Sequence, residues 1–307
     1  MRKLFLSCMA LVAACTTVNA QTDSNIFNHM AVGVELGTTG IGVEVVAPVT
    51  NYVQVRAGVN YIPTIKVKNI GVDISANSND WNKIKSDVNE LKNQYYDYIS
   101  TADKALVDGF TTYLNSDLPH DVLIDGEVGM TNFKFLIDVY PFKGSFHLTA
   151  GVYAGKSQLV EAYTTNCQSQ FKALTYFNKE LADKTITVTP PIGDPQTYSF
   201  RNKIGVKVGN ELLEPNGDHG RAYVNVGGVK PYVGIGFGRA VPQKHRLAFN
   251  FDLGAMLWGS PKIFLEQPTG DKEINVDNLD DDWKVLKTVS KLTVYPCMTF
   301  RLTGRIF

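Results

Sequence analysis

The 307-residue sequence has few cysteines, no net charge and no long hydrophobic run in its main part. It has four cysteines, and Lys+Arg and Asp+Glu both number 30, so the formal net charge is zero. This balance argues against a nucleic-acid partner, which usually requires a basic surplus. After residue 20 no stretch reaches the roughly 18 apolar residues of a membrane-spanning helix. Only Cys167 and Cys297 lie beyond that point, too few for a disulfide scaffold.

The first 20 residues predict a cleaved secretory signal peptide. A basic pair is followed by an apolar run over residues 4–14, which is too short to remain as a stable membrane anchor. Small residues precede a good peptidase site, so cleavage is predicted between Ala20 and Gln21. The mature chain is then one domain of residues 21–307.

A lipoprotein is the alternative reading of this N-terminus. Residues 12–15 resemble a lipobox, which would make Cys15 the lipidated first residue. An exported chain without a helical anchor has three possible forms. It is a soluble periplasmic or secreted protein, a lipoprotein, or an outer-membrane β-barrel.

Alternation of side chains with period two favours the barrel. In residues 229–238, Val233 and Ile235 lie on one face, while Lys230 and Tyr232 lie on the other. Such alternation predicts strands with two unlike faces. The apolar faces run for about ten residues, the length of a tilted membrane-crossing strand, and the opposite faces combine glycine and charge. We therefore predict an all-β, antiparallel, up-and-down transmembrane barrel, with a soluble sandwich as the alternative.

Eight strands are predicted, joined alternately by short turns and long polar segments. This is the outer-membrane pattern, and an even strand number places both termini on the periplasmic side. The long segments, which we expect to be extracellular, span residues 67–120, 164–220 and 266–293. The predicted strands span residues 29–37, 39–48, 52–66, 121–141, 145–163, 221–239, 246–265 and 294–307.

Secondary structure is also predicted inside the long loops. Apolar residues at helical spacing predict one helix over about residues 79–116 and a shorter one over 171–181. Two stretches, 185–189 and 197–200, flank a Pro/Gly segment and predict a hairpin. An acidic run at 277–282 predicts the start of a third helix, where acids favour the helix dipole.

The inward phase of the predicted strands collects charges of both signs. Charges in a narrow lumen are costly unless paired, so we predict a salt-bridge plug. A pore for small ions is the alternative, which an eight-stranded interior just wide enough for side chains disfavours. Asp138 or Asp252 is the expected partner of Lys230. The predicted lumen network consists of Glu35, Glu44, Arg56, Lys134, Asp138, Lys230, Asp252, Arg301 and Arg305.

Catalytic and metal-binding motifs are missing from the sequence. It contains no Walker motif, HExxH, GxSxG or paired CxxC. His147 is the one histidine expected inside the barrel wall, with Ser145 and Asp138 near it across a short turn, so an esterase is conceivable. However, His147 would lie at the inner end of the barrel. We predict no catalytic, cofactor or metal site.

Several segments together resemble a family of small, OmpA-sized, uncharacterised outer-membrane β-barrel proteins of Gram-negative bacteria. The resemblance implies the fold and an outer-membrane location. The family has no agreed activity, so no functional residues are carried over. The resembling segments are residues 39–45, 136–142, 229–238, 251–254, 259–262 and 295–296.

The last residue also fits this family, with one departure. Such barrels resemble one another in a final strand that ends in Phe, and Phe307 would be the assembly signal. Here the apolar phase runs through Phe300, Leu302 and Ile306, one residue out of step with Phe307. A bulge or a frayed end would restore the phase.

The function predicted from the sequence is a non-enzymatic outer-membrane barrel that interacts with other molecules through its long loops. A small channel and an outer-membrane lipid-modifying enzyme are the alternatives. The expected partners are outer-membrane lipid and the export and barrel-assembly machinery. We expect a monomer. The extracellular partner and the pairing of Cys167 with Cys297 stay open.

Overall fold

The computed structural model describes residues 29–73, 78–113, 121–142, 144–208, 211–242, 245–275 and 290–306. The predicted cleavage site at Ala20 and Gln21, the alternative lipid site Cys15, the acidic run 277–282 and Phe307 lie outside these residues. Within them, no helix is long and apolar enough to cross a membrane.

The described chain is dominated by strands. The three longer helices are α1 (Ser78–Asn93), α2 (Thr101–Thr111) and α3 (Gln168–Tyr176). The strands are β1 (Ala31–Gly37), β2 (Gly40–Pro48), β3 (Val53–Asp73), β4 (Asp121–Val139), β5 (Phe146–Gly155), β6 (Gln158–Thr164), β7 (Lys184–Val188), β8 (Gln196–Phe200), β9 (Val206–Val208), β10 (Glu211–Leu213), β11 (Arg221–Asn225), β12 (Val229–Phe237), β13 (Leu247–Leu257), β14 (Lys262–Leu265), β15 (Lys272–Ile274) and β16 (Val294–Arg305).

Eight of these strands close an antiparallel barrel. Their order around the wall is β1-β2-β3-β4-β5-β12-β13-β16, and β16 pairs with β1. Each barrel strand therefore pairs with the one before and the one after it, as in an up-and-down barrel. The predicted fold class is confirmed.

The outward faces of the barrel strands form an apolar belt. The side chains of Phe133 and Phe249 are 64% and 66% exposed, which is exceptional for phenylalanine in water. Inward residues beside them, Lys134 and Asn250, are buried and polar, so the period-two pattern marks an outer surface suited to lipid. Other members of the belt are Val34, Leu36, Val43, Phe135, Leu148, Val233, Ile235, Leu253, Phe300 and Leu302.

Three predicted strands are each divided in two. The predicted strands 145–163, 221–239 and 246–265 appear as β5 with β6, β11 with β12, and β13 with β14. The division occurs because β4 changes partner, pairing with β5 as far as Asn132 and with β6 from Val128 outward. The outer halves then leave the barrel and continue as an open sheet.

This open sheet carries a folded loop module, which we define as α1–α3 with β6–β11, β14 and β15. The sheet order is β3-β4-β6-β11-β14-β15, and one of its faces packs against the helices. We call this end of the barrel the loop end. The opposite end, with the connections 49–52, 140–145 and 238–246, is the turn end. The central side chains of the module are Trp81, Val88, Leu91, Phe110, Phe171, Leu174, Phe177, Val224, Ile263 and Leu265.

Of the three helices and one hairpin predicted in the loops, the shorter helix and the hairpin are confirmed, the long helix is wrong, and the helix predicted to begin at 277–282 lies outside the described residues. A helix followed by a π-helical turn covers residues 168–181, and β7 pairs with β8 as the expected hairpin. The single helix predicted over 79–116 is wrong, because α1 ends at Asn93 and α2 begins at Thr101. The Ser100 hydroxyl accepts a hydrogen bond from the Asp103 N–H at 3.1 Å, which caps a new helix start.

The tight turn between β1 and β2 depends on Gly40. Its φ is +90°, and a Cβ there would lie 2.1 Å from the backbone oxygen of Tyr61. We expect Gly40→Ala to lower the free energy of unfolding by more than ~1 kcal/mol. Gly71→Ala is the matched control, since a Cβ there meets nothing within 4 Å. Urea titrations of both variants in detergent would test this, and equal stabilities would contradict it.

Candidate functional site

The polar residues of the barrel interior are the candidate site. Eight of the nine charges assigned to the lumen from the sequence are at most 5% exposed. The ninth, Arg305, shares the inward phase but is only half-buried, at the turn end. The structure brings seven of the eight into one contact network, and Lys230 stands apart.

Lys134 joins the two glutamates of the first hairpin. Its ammonium lies 2.6 Å from Oε2 of Glu44 and also contacts Glu35. Asn60 donates from its amide to Glu35 and to the Thr39 hydroxyl, the latter at 3.2 Å. Both carboxylates are therefore held by donors from β3 and β4, and their negative charge is compensated inside the wall.

Arg56 crosses the lumen. It lies on β3, and its Nη1 is 3.2 Å from Oδ2 of Asp252 on β13, four strands away in a barrel of eight. Its Nη2 donates to Oδ1 of Asp138 at 2.8 Å, and Glu44 lies 3.8 Å from its Nη1. A side chain that bonds to opposite walls occupies the centre of the barrel.

Arg301 closes the network. Its Nη1 donates to Oε1 of Glu44 at 2.9 Å, and its Nε lies 2.7 Å from Oδ2 of Asp252. Asp252 is also 2.7 Å from Nε2 of His147, which is fully buried. Four acids, three basic side chains and one imidazole thus form a continuous chain of contacts across the barrel.

Inward glycines make room for this network. A Cβ at Gly236 would lie 2.1 Å from Oδ1 of Asp252 and 2.4 Å from Nε2 of His147. β12 therefore needs glycine at this inward position, because any side chain there would clash with the network.

The turn end is closed by the segment 239–242, which sequence analysis missed. Ala240 and Val241 are buried, and their N–H groups donate to Tyr140 Oη at 3.2 Å and to Gln54 Oε1 at 3.1 Å. The Arg239 guanidinium lies 4.6 Å from the centre of the Tyr140 ring. The sequence does contain one signal for this closure, because Tyr140 lies in the inward phase. A buried tyrosine hydroxyl needs a hydrogen-bond partner, which Ala240 provides.

Above the network, toward the loop end, lies an aromatic and apolar layer. The rings of Tyr153 and Tyr232 meet edge to face at 5.5 Å, and they pack with Met256 and Cys297. Cys297 is a free thiol here, and Cys167 is a free thiol in the core of the loop module. The two cysteines therefore do not pair.

The acid partner predicted for Lys230 is wrong. Lys230 points inward and is fully buried, but its ammonium donates to Oδ1 of Asn132 at 2.8 Å and approaches the carbonyl oxygen of Lys156 at 3.5 Å. Within the described residues no carboxylate lies within 4 Å of it. In the strand register Asp252 faces Gly236, six residues or about 20 Å along β12 from Lys230. The period-two phase predicts which side of the wall Lys230 faces, but it does not predict how far along the strand Lys230 lies from Asp252.

His147 does not form a catalytic pair with Ser145. Its Nδ1 faces the backbone carbonyl of Ser145 at 3.3 Å, not the hydroxyl, and its Nε2 faces Asp252. Acyl transfer needs an accessible nucleophile within hydrogen-bond reach of the base. Among the described residues, no group of three or more His, Cys, Asp or Glu is placed to hold a metal ion.

The outward face of the loop module is polar and internally paired. Arg221 donates to Oε1 of Glu161 at 2.6 Å and to Oε2 of Glu266 at 2.8 Å. This guanidinium holds the pKa of Glu266 below its usual value. The resulting stabilisation is present at neutral pH and is lost as the pH falls through the lowered pKa. A shallow cleft of about 450 Å³ lies beside the three residues.

Comparisons with known proteins give only distant likenesses. The chain matches no family model, and no curated protein is similar to it. It is similar to the solved structure of CarO2 from Acinetobacter baumannii, with 14% identity, 90% of this chain and 98% of that chain covered, and a TM-score of 0.39. For CarO of the same organism the identity is 13%, the coverages are 89% and 96%, and the TM-score is 0.38.

A third similar structure is a major outer membrane protein from Thermus thermophilus, with 12% identity, 91% of this chain and 98% of that chain covered, and a TM-score of 0.31. The assignment of a barrel rests on the strand pairing described above rather than on these likenesses. Membership of the family that the sequence resembles stays a prediction.

Proposed function

We propose that this chain is a non-enzymatic outer-membrane barrel that acts through its loop module. Its barrel anchors the protein in lipid, and the module interacts with molecules outside the cell. In this proposal residues 1–20 are removed on export, the barrel-assembly machinery inserts the chain, and both termini face the periplasm. The protein is a monomer with outer-membrane lipid as its constant partner.

The observation that carries this proposal is the filled lumen below a folded module. The Arg56–Asp252 contact crosses the barrel, and the segment 239–242 covers the turn end. A barrel used for passage would need an open path, whereas an anchor gains stability from a packed interior. The loop module has its own apolar core, so it presents a defined surface.

The orientation gives a labelling prediction. A tag inserted at Gly217 or Asp271 in the loop module should be detected by antibody on intact cells, and a tag near Gly144 at the turn end should not. Gly217 has a φ of +73° in an exposed turn, so an insertion there disturbs little. Permeabilised cells serve as the control, in which all three tags should be labelled. The reverse pattern would mean that the barrel is inserted the other way.

Conductance separates the anchor from the channel alternative. We expect the purified wild-type barrel to give no stepwise conductance in planar lipid bilayers. The double variant Arg56→Ala/Asp138→Ala removes the side chain that crosses the lumen together with its partner, so small openings should become more frequent. Steady conductance of the wild type would favour the channel and refute the plugged barrel.

The lipid-enzyme alternative has its own test. His147 is buried and its Nδ1 faces the backbone carbonyl of Ser145, which speaks against acyl transfer. We expect no product when the refolded barrel is incubated with radiolabelled phospholipid and lipopolysaccharide. Product formed by the wild type and lost in His147→Gln would overturn the non-enzymatic proposal.

A further inference from the structure

Lys230 is a buried cation without a counter-ion among the described residues. Its side chain is fully buried, and its two oxygen partners, Asn132 Oδ1 and the carbonyl oxygen of Lys156, are both uncharged. An isolated charge in a protein interior is costly unless an opposite charge or a bound ion compensates it. The other lumen cations, Arg56, Lys134 and Arg301, each contact at least two carboxylates.

Asn132 adds a second donor at the same place. Its side-chain amide is fully buried, its Oδ1 accepts from Lys230, and its Nδ2 has no hydrogen-bond partner. Oδ1 and Nδ2 belong to one planar amide group, so the unpartnered N–H is held on the same group that accepts from the ammonium. A buried polar atom without a partner in a native structure commonly marks a missing water or ion.

We propose that the ammonium of Lys230 and the Nδ2 of Asn132 bind a small monovalent anion at the loop end of the lumen. The two groups are both donors, as an anion requires. Both side chains are completely buried, which favours a small ligand such as a halide over a larger anion. The carboxylates of the network cannot replace this ligand, because they are already held by Arg56, Lys134 and Arg301.

A neighbouring amide provides an acceptor near the same end of the lumen. Oδ1 of Asn60 on β3 is buried and also lacks a partner. Asn60 faces Asn132 directly in the strand register. Acceptors of this kind suit the water molecules that accompany a partly hydrated anion.

The test uses the full mature chain refolded in non-ionic detergent. Its thermal unfolding midpoint is measured as sodium gluconate is replaced by sodium chloride or bromide at constant ionic strength. The wild type should be stabilised by both halides, because a ligand that binds only the folded state raises the midpoint. Crystals grown in bromide should show an anomalous scattering peak beside the Lys230 ammonium.

Asn132→Asp is the decisive variant, because it places a carboxylate where the Lys230 ammonium already donates. In gluconate it should be at least as stable as the wild type, and its halide dependence should disappear. Lys230→Met should also lose the dependence. The surface variant Lys66→Met, at a lysine whose side chain is 54% exposed, should keep it.

Three outcomes would overturn the proposal. They are a wild-type midpoint that does not respond to halide, an Asn132→Asp variant that responds as strongly as the wild type, and a bromide crystal without a peak at Lys230. The inference does not rest on the proposed function. Conductance decides whether the barrel is a channel, and the halide response decides whether this site exists.

Discussion

Arg56→Met should destabilise the barrel by about 3–5 kcal/mol, because it leaves buried acids without their partner. Arg56 is 2% exposed and contacts Asp138, Asp252 and Glu44. Asp138 suffers most, since Arg56 is its one ion-pair partner within 4 Å among the described residues. Its other contact is the Thr149 hydroxyl at 2.8 Å. Refolding titrations in urea with lipid vesicles would measure the loss.

Second-site changes distinguish an unpaired acid from a general packing defect. Asp138→Asn should restore part of the stability of Arg56→Met, because it removes the uncompensated charge. Asp252→Asn should not, because Asp252 still holds Arg301 and His147. Lys66→Met, which breaks a surface pair with Glu127, should cost at most about 1 kcal/mol. If Asp138→Asn and Asp252→Asn restore the stability of Arg56→Met equally, the contacts assigned to Arg56 across the lumen are wrong.

Val233→Lys should lower the free energy of unfolding by about 2–4 kcal/mol, because it places a charge on the lipid-facing side of the barrel near the membrane midplane. Val233 lies in the middle of β12, is 52% exposed and belongs to the apolar belt. The adjacent residue Tyr232 points into the lumen, so a shift of one position changes the environment from lipid to protein. Refolding into vesicles of fixed thickness would measure the cost.

The matched control is the same change outside the belt. Val67 lies on the part of β3 that extends beyond β2 and is 49% exposed. We therefore expect Val67→Lys to change the free energy of unfolding by no more than about 0.5 kcal/mol. A lumen substitution such as Asp138→Asn should not rescue Val233→Lys, because the two charges lie on opposite sides of the wall. Equal costs for Val233→Lys and Val67→Lys would mean that β12 does not face lipid.

The halves of the predicted strands that stay in the wall differ physically from those that leave it. Residues 156–157 and 226–228, which separate the two halves, are not in strands. The apolar Ala222 and Val224 of β11 lie in the even-numbered phase, which in β12 carries Lys230. What changes at the rim is the partner of β4 and the cover on the inward face, from a polar lumen to helices α1–α3. Alternation in the sequence indicates that one face of a strand is covered. It does not indicate whether a lumen or a layer of helices covers that face.

The sequence by itself determined the wall of this protein. Alternation with period two is a local property of extended backbone, so it assigned Phe133, Phe135 and Val233 to the outside and Arg56, Lys134 and Asp138 to the inside. The tertiary structure alone decided which charges meet. Register and strand order bring Arg56 to Asp252 across the barrel and leave Lys230 about 20 Å along β12 from the level of that acid. Pairing between distant strands sets these positions, and no local pattern of residues contains that information.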